Sequence, residues 1–222
     1  MWWAELLLRS GHPALATRRT KANRRICERN QWYDDIARCH SMLGRCALAE
    51  DRPDDAELGL RQAEPVLRRG QLLFDLARLH VTAGELALAR QDAPDALYRA
   101  AEALTLAAPR SMRLVHADAL VLRGRARLLE AEIDSAARAL DDAEEALRLA
   151  RDCGYAWAER DALFLEAETR AALSARHDSD NASAATRERE TSRRARADAE
   201  ALAAADAKAL EWLKDWEKKA KK

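Results

Sequence analysis

A 40-residue repeat is the feature of this sequence that most restricts its fold. Small residues recur in register at four columns, with apolar residues at columns between them. The small-residue columns are Gly44, Gly84 and Gly124; Ala56, Ala96 and Ala136; Ala63, Ala103 and Ala143; and Ala37, Ala77 and Ala117. A repeat of this length is typical of arrays in which each unit is one supersecondary element that packs on its neighbours.

Each repeat has the composition and the turn residues of a helix pair. Ala, Leu, Arg and Glu dominate the chain and β-branched residues are scarce, which favours helices over strands. Asp51 and Asp92 stand at expected N-cap positions, followed by Pro53 and Pro94 in the first turn. Pro65 lies inside a predicted helix and is expected to kink or end it. The predicted helices are 32–50, 53–69, 72–91, 93–108, 112–131 and 133–151.

The repeat divides the chain into an array at 1–173 and a tail. Residues 174–194 are polar and lose the pattern, so they are predicted to form a linker. Residues 195–222 are predicted to be a C-terminal helix with a basic tail that caps the last repeat. An apolar stripe of this helix is Leu202, Leu210, Leu213 and Trp216. The array is divided into a partial unit at 1–31, full units at 32–71, 72–111 and 112–151, and one helix of a fourth unit at 152–173.

The columns resemble those of the tetratricopeptide repeat family. Gly44, Ala56, Leu60 and Ala63 follow its order of a small residue in the first helix, then Ala, a large apolar residue and Ala in the second. The long period is similar to that of repeat regions in bacterial signal-transduction ATPases and regulators. The resemblance implies an all-α, right-handed α-solenoid of antiparallel helix pairs. It also implies a non-catalytic scaffold that binds a protein or peptide segment in a concave groove, within a bacterial signalling or regulatory system.

The resemblance further implies where a ligand would bind, because the family's contacting side chains come from set places on the first helix of each unit. Four arginines among the matching positions would form a basic stripe beside an apolar one. An acidic and apolar segment is therefore the expected ligand, since the guanidinium fork matches carboxylates. The alternative is that the arginines only pair with neighbouring acids, such as Arg78 with Asp75. The implied groove residues are Arg38, Ser41, Arg45, Leu48, Arg78, Val81, Glu85, Asp118, Val121 and Arg125.

Motifs that would indicate an enzyme are absent from the sequence. It contains no GxxxxGK[ST], GxGxxG, GxSxG or HExxH. We therefore expect no enzyme activity and no cofactor. Cys39, His40 and Cys46 could suggest a metal site, but two helical turns, about 10.5 Å, separate the two cysteines, which is too far for one zinc ion. The four cysteines are expected to be free thiols of a cytoplasmic protein.

Two alternatives to the scaffold hypothesis come from the first part of the chain. The shortened first unit would leave an apolar end, which favours self-association of the array. The segment Arg18–Arg25 is basic and could contact nucleic acid, although a solvated helix face is the preferred interpretation. Lys+Arg and Asp+Glu both number 38, so no overall field favours nucleic acid. No apolar run is long enough to predict a membrane span.

Overall fold

The computed structural model describes residues 2–130, 134–177 and 182–219, with side chains at 3–130, 134–175 and 184–208. Within these residues the fold is all-helical and contains no strand. None of the described helices is both long and apolar enough to cross a bilayer. The helices are α1 Trp2–Arg9, α2 Pro13–Arg29, α3 Tyr33–Ala49, α4 Pro53–Arg69, α5 Leu73–Ala89, α6 Ala93–Ala107, α7 Arg113–Glu130, α8 Ser135–Cys153, α9 Ala156–His177 and α10 Ala182–Lys219, with a 3₁₀ turn at Ala108–Arg110.

Consecutive helices are joined by one kind of tight turn that recurs every 20 residues. After each left-handed residue, the next amide bonds a carbonyl five residues back, as from Trp32 N to Cys27 O at 3.0 Å. This Schellman arrangement ends one helix and directs the next one back along it. The left-handed residues that stand 20 apart, with φ between 51° and 77°, are Gly11, Gln31, Asp51, Gln71, Gln91 and Ser111. Gly154, with φ of 66°, forms the same turn between α8 and α9 outside this spacing.

One of the predicted N-caps is wrong, and one of the two effects expected of Pro65 does not occur. Asp51 is the left-handed residue of its turn and not an N-cap, whereas Asp92 does cap α6 by accepting from the Asp95 amide at 3.1 Å. Pro65 does not end its helix, and α4 continues to Arg69. Ala63 and Leu67, both fully buried on either side of the proline, hold this part of α4 against the core.

The helix pairs pack on one another in chain order, as the repeat predicts. α3 packs on α4, α5 on α6, α7 on α8 and α9 on α10, and each pair contacts the next. The first helices also contact each other directly, from α3 to α5, α5 to α7 and α7 to α9. We call α1, α3, α5, α7 and α9 the inner helices, and their partners the outer helices.

The linker predicted at 174–194 is wrong for its described residues, because α9 continues to His177 and α10 begins at Ala182. α10 packs along α9 as the outer helix of a fifth pair, with Ala185, Ala195 and Ala199 buried. Ser192 donates a hydrogen bond to Ala167 O at 2.8 Å. Small and hydroxyl side chains form this contact, so the segment has a polar composition although it packs as a helix.

The predicted apolar stripe of the C-terminal helix can be followed in part. Leu202 packs against a cluster that includes Leu163 and Ala167 of α9. The side chains of Leu210, Leu213 and Trp216 lie outside the described residues. The described part of α10 therefore covers α9, the last inner helix.

Candidate functional site

The inner helices enclose an open cleft of about 260 Å³. Its apolar walls are formed by Met42, Phe74, Leu114, Val115 and Trp157. Phe74 and Leu114 remain 40% and 37% exposed although a hydrophobic core lies next to them. Large apolar side chains that stay exposed inside a concave site are a common mark of a binding surface.

Glu5 of α1 gathers three arginines at the floor of the cleft. Arg45 of α3 binds both carboxylate oxygens, with Nη2 3.0 Å from Oε1. Arg78 of α5 donates to Oε2 at 2.6 Å, and Arg9 donates to Oε1 at 3.2 Å. Burial alone would raise the pKa of Glu5, but Arg45, Arg78 and Arg9 hold it well below its usual range. The ionised Glu5 therefore ties α1 to two other inner helices.

Arg9 extends this charged cluster to the far end of the described array. Its Nη2 lies 3.1 Å from Oδ2 of Asp118 on α7 and donates to the Tyr155 hydroxyl at 3.0 Å. Its Nη1 lies 3.4 Å from Oδ2 of Asp161 on α9. The guanidinium carbon lies 5.8 Å from the ring centres of both Tyr155 and Trp157, within the range of cation–π attraction. Through Glu5 and Arg9, α1 reaches every other inner helix.

Arg9 and Asp118 shift each other's titration in a buried setting. Burial alone would lower the pKa of Arg9, but Asp118, Tyr155, Glu5 and Asp161 raise it well above its usual value. Burial raises the pKa of Asp118, and the nearby Arg9 and the other arginines offset only part of this effect. Since Asp118 is costly to ionise without a cation beside it, its charge depends on Arg9.

The charged cluster follows one column of the repeat. Glu5, Arg45, Glu85 and Arg125 stand 40 residues apart, and their charges alternate in sign. Glu5 bonds Arg45, and Glu85 lies within electrostatic range of both Arg45 and Arg125. The charged side chain at this position of one unit therefore lies near a side chain of opposite charge at the same position of the next unit.

Five of the ten predicted groove residues line the cleft: Arg38, Ser41, Arg45, Arg78 and Asp118. Three more of the predicted residues line a small cavity of about 20 Å³ next to Arg9, with room for about one water molecule. They are Glu85, Val121 and Arg125.

Leu48 and Val81 line neither of these two spaces. Val81 is buried with Ala103 and Val115 in the core between α5, α6 and α7. Leu48 packs against the core that joins α3, α4 and α5. Both positions lie on the flank of an inner helix that meets the neighbouring pair.

The predicted basic stripe is neutralised by acids of the chain itself. Arg38 bonds Asp35 at 2.9 Å and Asp75 at 2.8 Å, while Arg45 and Arg78 share Glu5. The alternative of internal pairing therefore describes these three arginines, although Asp75 pairs with Arg38 and not with Arg78. The described residues that line the cleft include three arginines and three carboxylates, so their formal charges cancel.

Several residues of the site were not predicted from the sequence. Phe74 and Leu114 stand 40 residues apart on the first turn of their helices, so their column could have revealed them. Glu5 could have been found by extending the Arg45 column into the partial first unit. The spacing between α7 and α9 is three residues longer than in the other units, as the match of Asp161 to Asp118 shows. With that offset, Trp157 falls in the column of Phe74 and Leu114, and Tyr155 follows Met112 in its column, so both could be found only after the longer spacing was recognised.

Cys27, Cys39 and Cys46 are buried between the first helix pairs. All four cysteines are free, with Cys27, Cys39 and Cys46 buried and Cys153 exposed. Burial raises the pKa of the Cys39 thiol to about 11, which keeps it protonated and a poor metal ligand. Among the side chains that the structure describes, no three His, Cys, Asp or Glu are grouped to hold a metal ion.

Comparison with known proteins gives no family assignment. No protein-family model, no curated protein and no solved structure matches the chain. The likeness to tetratricopeptide repeats therefore stays a prediction from the sequence columns, and function has to be argued from the site itself.

Proposed function

We propose that this protein is a non-catalytic scaffold that binds a protein or peptide segment in the cleft between its inner helices. The observation that carries the proposal is the pair of exposed apolar side chains, Phe74 and Leu114, beside Trp157 in a concave site. The proposal includes the tetratricopeptide-like, right-handed solenoid architecture. In such an array the inner helices form one continuous surface that suits an extended or helical segment.

The cleft favours a ligand with apolar anchor side chains. Its walls are apolar, and a buried aromatic or aliphatic anchor is the usual centre of a protein interface. Arg38, Arg45 and Arg78 already have carboxylate partners, so they give little reason to prefer an acidic segment. We propose that apolar contacts supply most of the affinity and that the paired charges around the cleft set orientation.

Peptides selected from a random display library on the intact protein would test this proposal. Binding of each selected peptide would be measured by fluorescence anisotropy with the wild type and with the double variant Phe74→Ser, Leu114→Ser. We expect at least about a tenfold loss of affinity, which corresponds to about 1.4 kcal/mol, because the apolar walls would be removed.

The matched control is Leu58→Ser with Tyr98→Ser, two exposed large apolar residues on the outer helices α4 and α6 that are 55% and 56% exposed. This variant should bind the selected peptides as the wild type does. Melting temperatures of both variants would show that the fold is kept. Peptides that bind all three proteins equally well, or a selection that yields no specific peptide, would contradict the proposal.

A further inference from the structure

The groups around Arg9 make up a complete receptor for a guanidinium group. Asp118 and Asp161 supply carboxylate oxygens, and the Tyr155 hydroxyl accepts a third hydrogen bond. Tyr155 and Trp157 present their rings to the cation, with an edge-to-face angle of 78° between them. A planar cation with five donors fits carboxylates and aromatic faces together, which an ammonium group does not do as well.

All four receptor residues come from the far part of the array, on α7 and at the start of α9. They lie more than 100 residues from Arg9 in the sequence. Asp118, Tyr155 and Trp157 also line the open cleft, so the receptor forms one end of the proposed binding site. A segment bound in the cleft would therefore have a guanidinium site within reach.

Arg9, which occupies this receptor, belongs to the short helix α1. α1 has only eight residues, which is too short for a helix to be stable by itself. Its apolar attachment is a small cluster in which Ala4, Leu7 and Leu8 pack against α2 and α3. The Glu5 and Arg9 ion pairs provide its contacts with the more distant inner helices.

We propose that Asp118, Asp161, Tyr155 and Trp157 form an arginine-recognition site, which Arg9 occupies in the free protein and for which an arginine of a bound segment competes. This inference rests on the proposed function, since it names a side chain that the ligand of the cleft would carry. It replaces the acidic ligand expected from the basic stripe with an apolar segment that contains arginine.

The test uses the full chain with Arg9→Ala and N-acetylarginine methylamide as the probe. Binding would be followed by NMR through the indole N–H signal of Trp157. We expect the variant to bind the probe at least tenfold more tightly than the wild type, because the substitution vacates the site. N-acetyllysine methylamide, which has the charge without the planar fork, should bind the variant at least tenfold more weakly than the arginine probe.

The control variant is Arg9→Ala combined with Asp118→Asn and Asp161→Asn, which should not distinguish the two probes. If Arg9→Ala fails to fold, the arginine probe should restore its helical circular dichroism and the lysine probe should not. Equal binding by wild type and Arg9→Ala, equal effects of the two probes, or no effect of the arginine probe would each overturn the inference. The display selection can fail while this titration succeeds, so the two proposals are tested separately.

Discussion

His80 on α5 is 1% exposed, and neither of its ring nitrogens has a hydrogen-bond partner among the residues that the structure describes. Burial lowers its pKa, since the charged ring would lose its hydration. The same column holds Leu120 one unit later, also 1% exposed. A single residue thus decides whether this buried position is apolar or carries unpaired polar atoms, which cost about 1–3 kcal/mol each.

We predict that His80→Leu raises the free energy of unfolding by about 1–2 kcal/mol at pH 7, because it removes two unpaired buried nitrogens. The gain should grow as the pH falls from 7 towards 5. Below about pH 6.5 the unfolded chain takes up a proton on this histidine more readily than the folded protein, in which burial lowers its pKa, so the wild type loses stability there. Urea unfolding at several pH values would measure both effects.

The reciprocal change, Leu120→His, serves as the control for His80→Leu. It should lower stability and steepen the loss between pH 7 and 5, because it places the same ring at the equivalent buried position. A Leu120→His protein with wild-type stability and pH dependence would contradict this account.

At the scale of helix pairs, glycine sets how closely α3 and α4 approach. A Cβ placed on Gly59 of α4 would lie 2.8 Å from His40 O and 3.1 Å from Gly44 Cα of α3. These are backbone atoms, which cannot move aside without separating the helices. At Gly84 the nearest atoms are the δ-methyl groups of Leu122, the end of a flexible side chain.

Gly59→Ala should therefore destabilise the protein by about 1–3 kcal/mol, as expected for overpacking. In an unconstrained helix the same change would be stabilising by about 1 kcal/mol. Gly84→Ala should change stability by less than about 1 kcal/mol, because Leu122 can change rotamer. Thermal or urea unfolding of the two variants side by side would check the order, and a Gly84→Ala effect as large as that of Gly59→Ala would contradict it.

At the scale of the whole molecule, the alternating charges around Glu5 connect units that are distant in the sequence. Glu5 is 9% exposed and serves three arginines from α1, α3 and α5. Removing its charge would leave three guanidinium groups in a mostly buried site without a shared anion. Removing one partner of a buried ion pair costs far more stability than removing one partner of an ion pair at the surface.

We predict that Glu5→Gln lowers the free energy of unfolding by about 3 kcal/mol at neutral pH. The low pKa of the folded-state Glu5 gives stability above its unfolded pKa of about 4.3, which is lost as the pH falls through the folded value. The variant should accordingly lose less stability than the wild type below about pH 4.

The matched control is Glu28→Gln, which removes a 47% exposed carboxylate that lies 3.1 Å from the half-exposed Arg24 on α2. This change should alter stability by less than about 0.5 kcal/mol. Equal effects of the two substitutions at neutral pH would show that the Glu5 cluster does not hold the inner helices together.

The helix pairs could be predicted because their signals are local. Ala56 and Ala63 are on the face of α4 that packs against α3. This small-residue pattern repeats in each of the three full units, so it can be recognised within one unit at a time. The part of α10 before residue 195 escaped prediction, since Ala185 and Ser192 form its contact with α9 without large apolar residues. Half of the predicted groove residues line the cleft. The repeat indicates which face of each inner helix points inward, but it does not indicate which residues of that face border the cleft.

The sequence by itself determined the all-helical architecture and the order of the helix pairs, and the resemblance to tetratricopeptide repeats pointed to Arg38, Arg45, Arg78 and Asp118, which lie at the cleft. Only the tertiary structure decided that Arg9 meets Asp161, 152 residues away, and that the arginines of the cleft are already paired. The reason is that these contacts depend on how all the helix pairs stack on one another, which is a property of the whole array. No single repeat contains that information, so which side chains meet cannot be obtained from the spacing of residues alone.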